Sequence, residues 1–205
     1  MKHHTSTVKQ SISTVEWEDF KMKPQKFKNI KTQRLYLKPL VTSFDFANYL
    51  FNIIAKNREF FKFMPWANIE KPESEFEFLQ SAEKGWKTQE TATYGMFLQP
   101  KNEFVGVCSV FEINFEKESC EIGYWLNPIF ANQGFMSEAA NAVANEFFNA
   151  GFKRIVIKAN PENIASCKVA EKCGFEREGL LRSYDFLPLL NKREDLVLYS
   201  KIKEK

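Results

Sequence analysis

Histidine is nearly absent from this chain. Its 205 residues include two, His3 and His4, side by side near the start. A Ser-His-Asp or Cys-His nucleophile system needs a histidine that a fold can place, so neither is expected, and a zinc hydrolase site is excluded on similar grounds. Any acid or base must come from Glu, Asp, Tyr, Ser, Cys, Lys or water. Cysteine is scarce as well. Cys108, Cys120, Cys167 and Cys173 form no C-x-x-C pair, which argues against a zinc ribbon and for free thiols in a reducing compartment. No metal is expected. No apolar run approaches the length of a membrane span, and the first residues carry no apolar leader core. A soluble, unprocessed, cytoplasmic protein with no membrane partner is the expectation. The charge excess is small, 29 Lys and Arg against 26 Asp and Glu, and no basic block interrupts the mixture. A nucleic-acid partner is therefore not expected.

What is present fits one buried domain: 44% hydrophobic residues, 27% charged residues and 21 phenylalanines. Residues 1–30 read as a polar N-terminal extension in which Phe20, Met22 and Phe27 are able to dock. Residues 31–205 read as a single domain. From Arg34 the chain alternates as a strand, with Leu35 and Leu37 on one face. Ser43 is a plausible N-cap for a helix carrying Phe46, Tyr49, Leu50, Ile53 and Ile54 on its apolar stripe. Pro72 or Ser74 opens a second helix through Phe76, Leu79, Ala82 and Trp86. Strands follow over 94–98, 104–113 and 120–126, joined by polar turns, as in an antiparallel meander. A helix after Gly134, a β-branched strand at 154–157 and a helix capped by Asn163 come next. That last helix should bury Ala165, Val169 and Cys173. Strands at 175–181 and 195–200 close the chain, joined by a loop through Tyr184 and Pro188. The fold class is α+β: a mixed, mostly antiparallel sheet with flanking helices and one parallel β-α-β crossover.

The stretch from Cys120 to Ala150 organises the rest. A strand leads through Asn127-Pro128 into Ala131-Asn132-Gln133-Gly134-Phe135-Met136-Ser137-Glu138 and then a helix. A helix N-terminus offers unpaired N–H groups and the positive end of a dipole, and Gly134 lets a ligand approach the backbone. The loop therefore reads as an anion site for a phosphate-bearing cofactor, with Ser137 adding a hydroxyl. An ordinary turn would also use a glycine here. The loop is neither a P-loop nor a dinucleotide fingerprint.

Taken together, these stretches resemble the GNAT N-acetyltransferases, in particular the RimJ/RimL type that acetylates α-amino groups of ribosomal proteins. The resemblance is carried by Thr32-Gln33-Arg34-Leu35-Tyr36-Leu37, by Phe63-Met64-Pro65-Trp66 and by Glu121-Ile122-Gly123-Tyr124-Trp125-Leu126. It continues in Gly134-Phe135-Met136-Ser137-Glu138-Ala139, in Asn163-Ile164-Ala165-Ser166 and in Ala170 to Phe175. Ala131 and Asn132 depart from it, standing where the family often has Gln or Arg and a second glycine, so one phosphate contact is lost.

The resemblance implies acetyl-CoA as cosubstrate and direct transfer of acetyl to a primary amine, foremost the α-amino group of a protein or peptide. The alternatives are a small amine such as a polyamine, amino acid or aminoglycoside, or a CoA-binding module without turnover. A homodimer is possible by resemblance. Glu121 is the base candidate, against the reading of an ion-paired strand residue. Ser166 and Tyr184 are candidate acids for the departing thiolate. Leu126, Gln133, Gly134, Phe135, Met136, Ser137, Asn163 and Ser166 are assigned to the cofactor. Trp66, Trp125 and Tyr124 are assigned to the acceptor, with Trp86 a further possible wall.

Overall fold

The computed structural model describes residues 26–204. Phe20, Met22, His3 and His4 lie outside the described residues. The elements are β1 (Ile30–Lys31), β2 (Leu35–Pro39), α1 (Phe44–Lys56), α2 (Pro72–Thr88), β3 (Ala92–Leu98), β4 (Glu103–Asn114) and β5 (Ser119–Leu126). A 3-10 turn (Pro128–Phe130) leads to α3 (Phe135–Asn149), β6 (Arg154–Ala159), α4 (Ile164–Lys172), β7 (Glu176–Leu187) and β8 (Lys192–Ile202). One eight-stranded sheet runs β1-β2-β3-β4-β5-β6-β8-β7. Every pairing is antiparallel except β5 with β6, the crossover pair joined through α3.

The sheet has a packed layer on each face. One apolar cluster joins Leu35, Leu37, Tyr94, Ile122, Ile155 and Ile157 to the small-residue face of α3 (Ala139, Ala140, Val143, Ala144) and to α4. The alanines allow a close approach of helix to sheet. The other cluster joins Val107, Phe104 and Trp125 to Leu50 and Ile54 of α1 and Leu79 of α2. Ser43 caps α1 as expected, its Oγ accepting from the Phe46 N–H at 3.2 Å. Lysines close two helices at their negative ends: Lys201 Nζ donates to the Cys173 carbonyl at 2.8 Å, and Lys203 Nζ donates to that of Phe148.

Three details differ from the sequence reading. The buried stripe of α1 is Ala47, Leu50 and Ile54, with Tyr49 turned to solvent; the helix is rotated so that a small residue faces the sheet. In α4 the buried residues are Cys167 and Ala170, not Ala165 and Val169, because nine residues with mixed polarity leave the face ambiguous. The last two strands are longer than the hydrophobic pattern suggests, so Tyr184 belongs to β7 and not to a loop. A register shift between Leu181 and Asp185, with Ser183 at φ 50°, breaks the alternation that would have marked this stretch as strand.

The feature that makes a site is the parting of β5 from β6. Their ladder holds for three residues only, Ser119 to Arg154, Cys120 to Ile155 and Glu121 to Val156. Beyond it β5 stays with β4 as far as Leu126 opposite Gly106, and β6 stays with β8 as far as Ala159 opposite Val197. The sheet thus splits into two halves with a gap between. At Gly106 an added Cβ would lie 2.4 Å from the Trp125 carbonyl oxygen, a backbone atom that cannot yield without moving β5. Gly106→Ala is expected to destabilise by about 1–3 kcal/mol, measured as a lower urea midpoint at unchanged m-value.

Candidate active site

Alternation along β5 sends its side chains to opposite faces of the split. Trp125 lies with α1 and α2, while Ile122 and Tyr124 lie with α3 and α4. The gap opens into a cleft of about 750 Å³ whose lining includes Gly123, Tyr124, Trp125, Lys158, Asn163 and Ser166. Gly123 is required there, since a Cβ would meet the Phe111 ring at 2.8 Å.

On the α3–α4 side, Asn163 caps α4, its side-chain oxygen accepting from the Ser166 N–H at 3.2 Å. The Ser166 hydroxyl lies 3.2 Å from the Tyr124 hydroxyl, which also reaches the Ser166 carbonyl at 3.2 Å. Tyr124, assigned from sequence to the acceptor, therefore belongs to the opposite face from Trp125. Burial pushes its phenol well above the usual range, and the Ser166 hydrogen bond offsets only part of this.

The loop before α3 is built as an anion site requires. Gly134 is its N-cap at φ 79°, with no side chain capping the helix. The side chains of Phe135 and Met136 are buried in the core, so only their backbone can face a ligand. Asn132 takes φ 60°, the left-handed region that asparagine tolerates better than most residues, and so stands in for a glycine. Arg34, not foreseen as a site residue, clamps the loop. Its Nη1 donates to the Gln133 carbonyl at 3.0 Å, its Nε to Glu138 at 2.7 Å, and its guanidinium lies 4.2 Å from the Phe135 ring centroid. Glu138, in the first turn of α3, would repel an anion if left free. Burial works against its charge, but hydrogen bonds from Thr32 and Arg34 outweigh that and hold its carboxyl below the ordinary range.

On the α1–α2 side, Trp66 and Trp125 stand 6.0 Å apart at the cleft, with Phe61 behind them. Trp86 is not among the residues lining this cleft; it packs edge-on against Tyr94 and Phe27, on the cluster that includes α3. Glu121 is ion-paired with Lys158 at 2.6 Å, and Lys158 also donates to the Tyr184 hydroxyl at 2.9 Å. Burial raises the Glu121 carboxyl, with Lys158 opposing. Burial also works against the Lys158 ammonium, but its two hydrogen bonds prevail and its pKa is raised. The three form one chain, Glu121-Lys158-Tyr184, across the gap.

Glu75, on the first turn of α2, lines the same cleft and is 5% exposed. Among the described residues no hydrogen bond or ion pair satisfies it, and burial alone lifts its carboxyl to about 7. Among the described residues, no cluster of His, Cys, Asp or Glu is arranged to hold a metal ion. The four cysteines are free and buried, and burial raises Cys120 to about 12, leaving it unreactive. No helix among the described residues is long and apolar enough to cross a membrane.

The sequence profile of the acetyltransferase (GNAT) domain family matches residues 34–176. The chain belongs to the GNAT acetyltransferase family. It is 35% identical over 103 residues to the ribosomal-protein-serine acetyltransferase of Escherichia coli K12, covering 50% of this chain and 56% of that protein. It spans about half the length of three such curated relatives. Among solved structures, RimL, a ribosomal L7/L12 α-N-protein acetyltransferase in complex with coenzyme A, superposes with a TM-score of 0.76 at 26% identity, covering 85% of this chain and 98% of that one. The microcin C7 self-immunity acetyltransferase MccE, in complex with acetyl-CoA and AMP, gives 0.75 at 26% identity, with 84% and 94% covered. The mixed sheet with its single parallel pair is thus the GNAT fold.

Within this GNAT domain Glu75 has a measurable signature. Its carboxyl is raised from 4.5 to about 7 on folding, so the folded protein binds the extra proton and stability falls as pH rises through that window. The cost above pH 7 is up to about 3 kcal/mol. Glu75→Gln should raise the melting temperature at pH 8 and leave it nearly unchanged at pH 4, read by thermal denaturation across the range.

Proposed function

We propose that this GNAT domain transfers acetyl from acetyl-CoA to a primary amine, foremost the α-amino group of a protein or peptide, by direct attack and without an acyl-enzyme. The observation that carries the reading is the parting of β5 and β6 beside an uncapped α3 N-terminus. This is a slot with free strand edges at one end and, at the other, helix N–H groups without a side-chain cap that suit a phosphate. Acetyl-CoA, when bound, supplies the activated acetyl thioester. The α3 N-terminus, steadied by Arg34, suits its pyrophosphate. Asn163 and the free edge of β5 suit its pantetheine arm. The RimL and MccE likenesses support the same cosubstrate; the E. coli relative supports a protein acceptor, and RimL supports its α-amine.

The roles of the cleft residues follow from their chemistry. Backbone N–H groups at the end of β5, near Leu126, are placed to stabilise negative charge developing on a carbonyl oxygen. Ser166, linked to Tyr124, can pass a proton toward a departing thiolate; Tyr184 is the second candidate for that step. An α-amine with a pKa near 8 is roughly one-tenth neutral at pH 7, whereas a lysine side chain is neutral in under about a thousandth of molecules. The α-amine therefore needs little from a base, which suits a cleft whose Glu121 is already engaged by Lys158. Trp66 and Trp125 wall the acceptor end.

Release of CoA thiol should be followed with peptides bearing free α-amines and with α-blocked peptides carrying a free lysine. Turnover confined to the free α-amines is the expected result; turnover on the blocked peptides alone would overturn the acceptor. In the same assay Ser166→Ala should lower kcat by about tenfold or more while KM for acetyl-CoA changes little. Arg34→Ala should do the reverse, raising that KM by about tenfold through loss of a charge-assisted clamp.

A further inference from the structure

The cleft carries a charge balance opposite to that of the whole chain. The chain has a formal net charge of +3. The cleft lining nevertheless holds five carboxylates, Glu75, Glu112, Glu121, Asp185 and Glu194, against one lysine, Lys158. Three of the five are engaged. Glu121 is paired with Lys158, Glu194 accepts from Asn160 at 2.5 Å, and Asp185 accepts from the Phe186 N–H at 2.7 Å. Glu112 is exposed at the rim. Glu75 alone is buried, faces the cleft and has no partner among the described residues. A buried carboxylate without a partner carries a desolvation cost that a cation would relieve. Its neighbours in the lining, Trp66, Phe78 and Trp125, offer ring faces and apolar surface suited to an alkyl chain ending in an ammonium.

We infer that the acceptor end is built for a primary amine bearing a second positive charge, and that Glu75 holds that charge while the first amine reacts. This rests on reading the cleft as the acceptor side of an acetyltransferase. Two sources share the chemistry: a peptide with a basic residue close behind its free α-amine, and an alkyl diamine or polyamine. Either presents a reacting amine and a second cation on one short chain with alkyl segments, which the carboxylates and the tryptophans match. A neutral acceptor leaves Glu75 unpaired, and an acidic one is repelled.

The test uses the full chain loaded with CoA. Binding of α,ω-diaminoalkanes is compared by calorimetry with that of alkylamines of equal length, for the wild type and for Glu75→Gln. In parallel, acetyl transfer is measured on free-amine peptides whose second residue is lysine, norleucine or glutamate. The expected result is about tenfold tighter binding of diamines than monoamines, lost in Glu75→Gln, with an unchanged KM for acetyl-CoA. If the source is a peptide, kcat/KM for the lysine peptide exceeds that for norleucine by a similar factor; if it is a diamine, that preference is confined to the diamines. Equal binding of diamines and monoamines by the wild type would overturn the inference without needing the variant. So would a loss in Glu75→Gln that falls equally on charged and neutral acceptors. Absence of transfer to every acceptor, with diamine binding still dependent on Glu75, would sink the acetyltransferase reading and leave the cation site standing.

Discussion

Everything at this site depends on a ladder that stops after three residues. Parallel β5 and β6 are bound to each other only at Ser119–Glu121, and each is then claimed by its antiparallel neighbour. The gap exposes backbone groups that a continuous sheet would consume, and buried backbone groups without partners are costly. A slot of this kind is tolerable because a ligand with its own amide and carbonyl groups can occupy it. The residues at the parting serve it: Gly123 leaves room for the Phe111 ring, and Glu121 and Lys158 tie the two strands together just as the ladder ends.

The same parting separates two electrostatic environments. On one face lies the uncapped end of α3, where Arg34 neutralises the acidic Glu138 in the first turn. On the other lie Glu75 of α2 and the rings of Phe61, Trp66 and Trp125. In the proposed reading, an anion and a cation entering the gap are drawn to opposite sides of one sheet by groups fixed in the fold.

Much of this was legible in the sequence, and the gaps have physical causes. The periodicities of α3, the meander and the crossover gave the element order, missing only the two-residue β1. Caps were readable because Ser43 and Asn163 act within three residues of themselves. Gly134 was readable because a left-handed N-cap calls for glycine. Arg34 was not, since its partners Gln133 and Glu138 lie about a hundred positions away and no local pattern encodes that distance. For Glu121 the ion-paired alternative was open from the start, and Lys158 realises it. Glu75 left a trace that went unread. It stands at i, i+4, i+7 with Leu79 and Ala82, on the stripe that α2 buries. A glutamate in a first turn ordinarily answers the helix dipole, and that ordinary reason masked the unusual one.

A carboxylate-rich acceptor cleft creates a difficulty. Negative charge near an amine stabilises the ammonium, and an ammonium cannot attack. Each nearby carboxylate thus improves binding while it opposes deprotonation. The arrangement on β5 and β6 answers this in part. At the strand edge where the transfer is proposed, Glu121 is balanced by Lys158, so the local field is close to neutral. The uncompensated charge sits away from that edge, on α2. Glu75 is itself moderated by burial, which holds its carboxyl near 7, so it is not a full negative charge at every moment. In the proposed reading, attraction for a second ammonium at α2 and a balanced field at the parting together let one end of an acceptor stay charged while the other gives up its proton. That separation asks for no histidine, of which the chain has only His3 and His4.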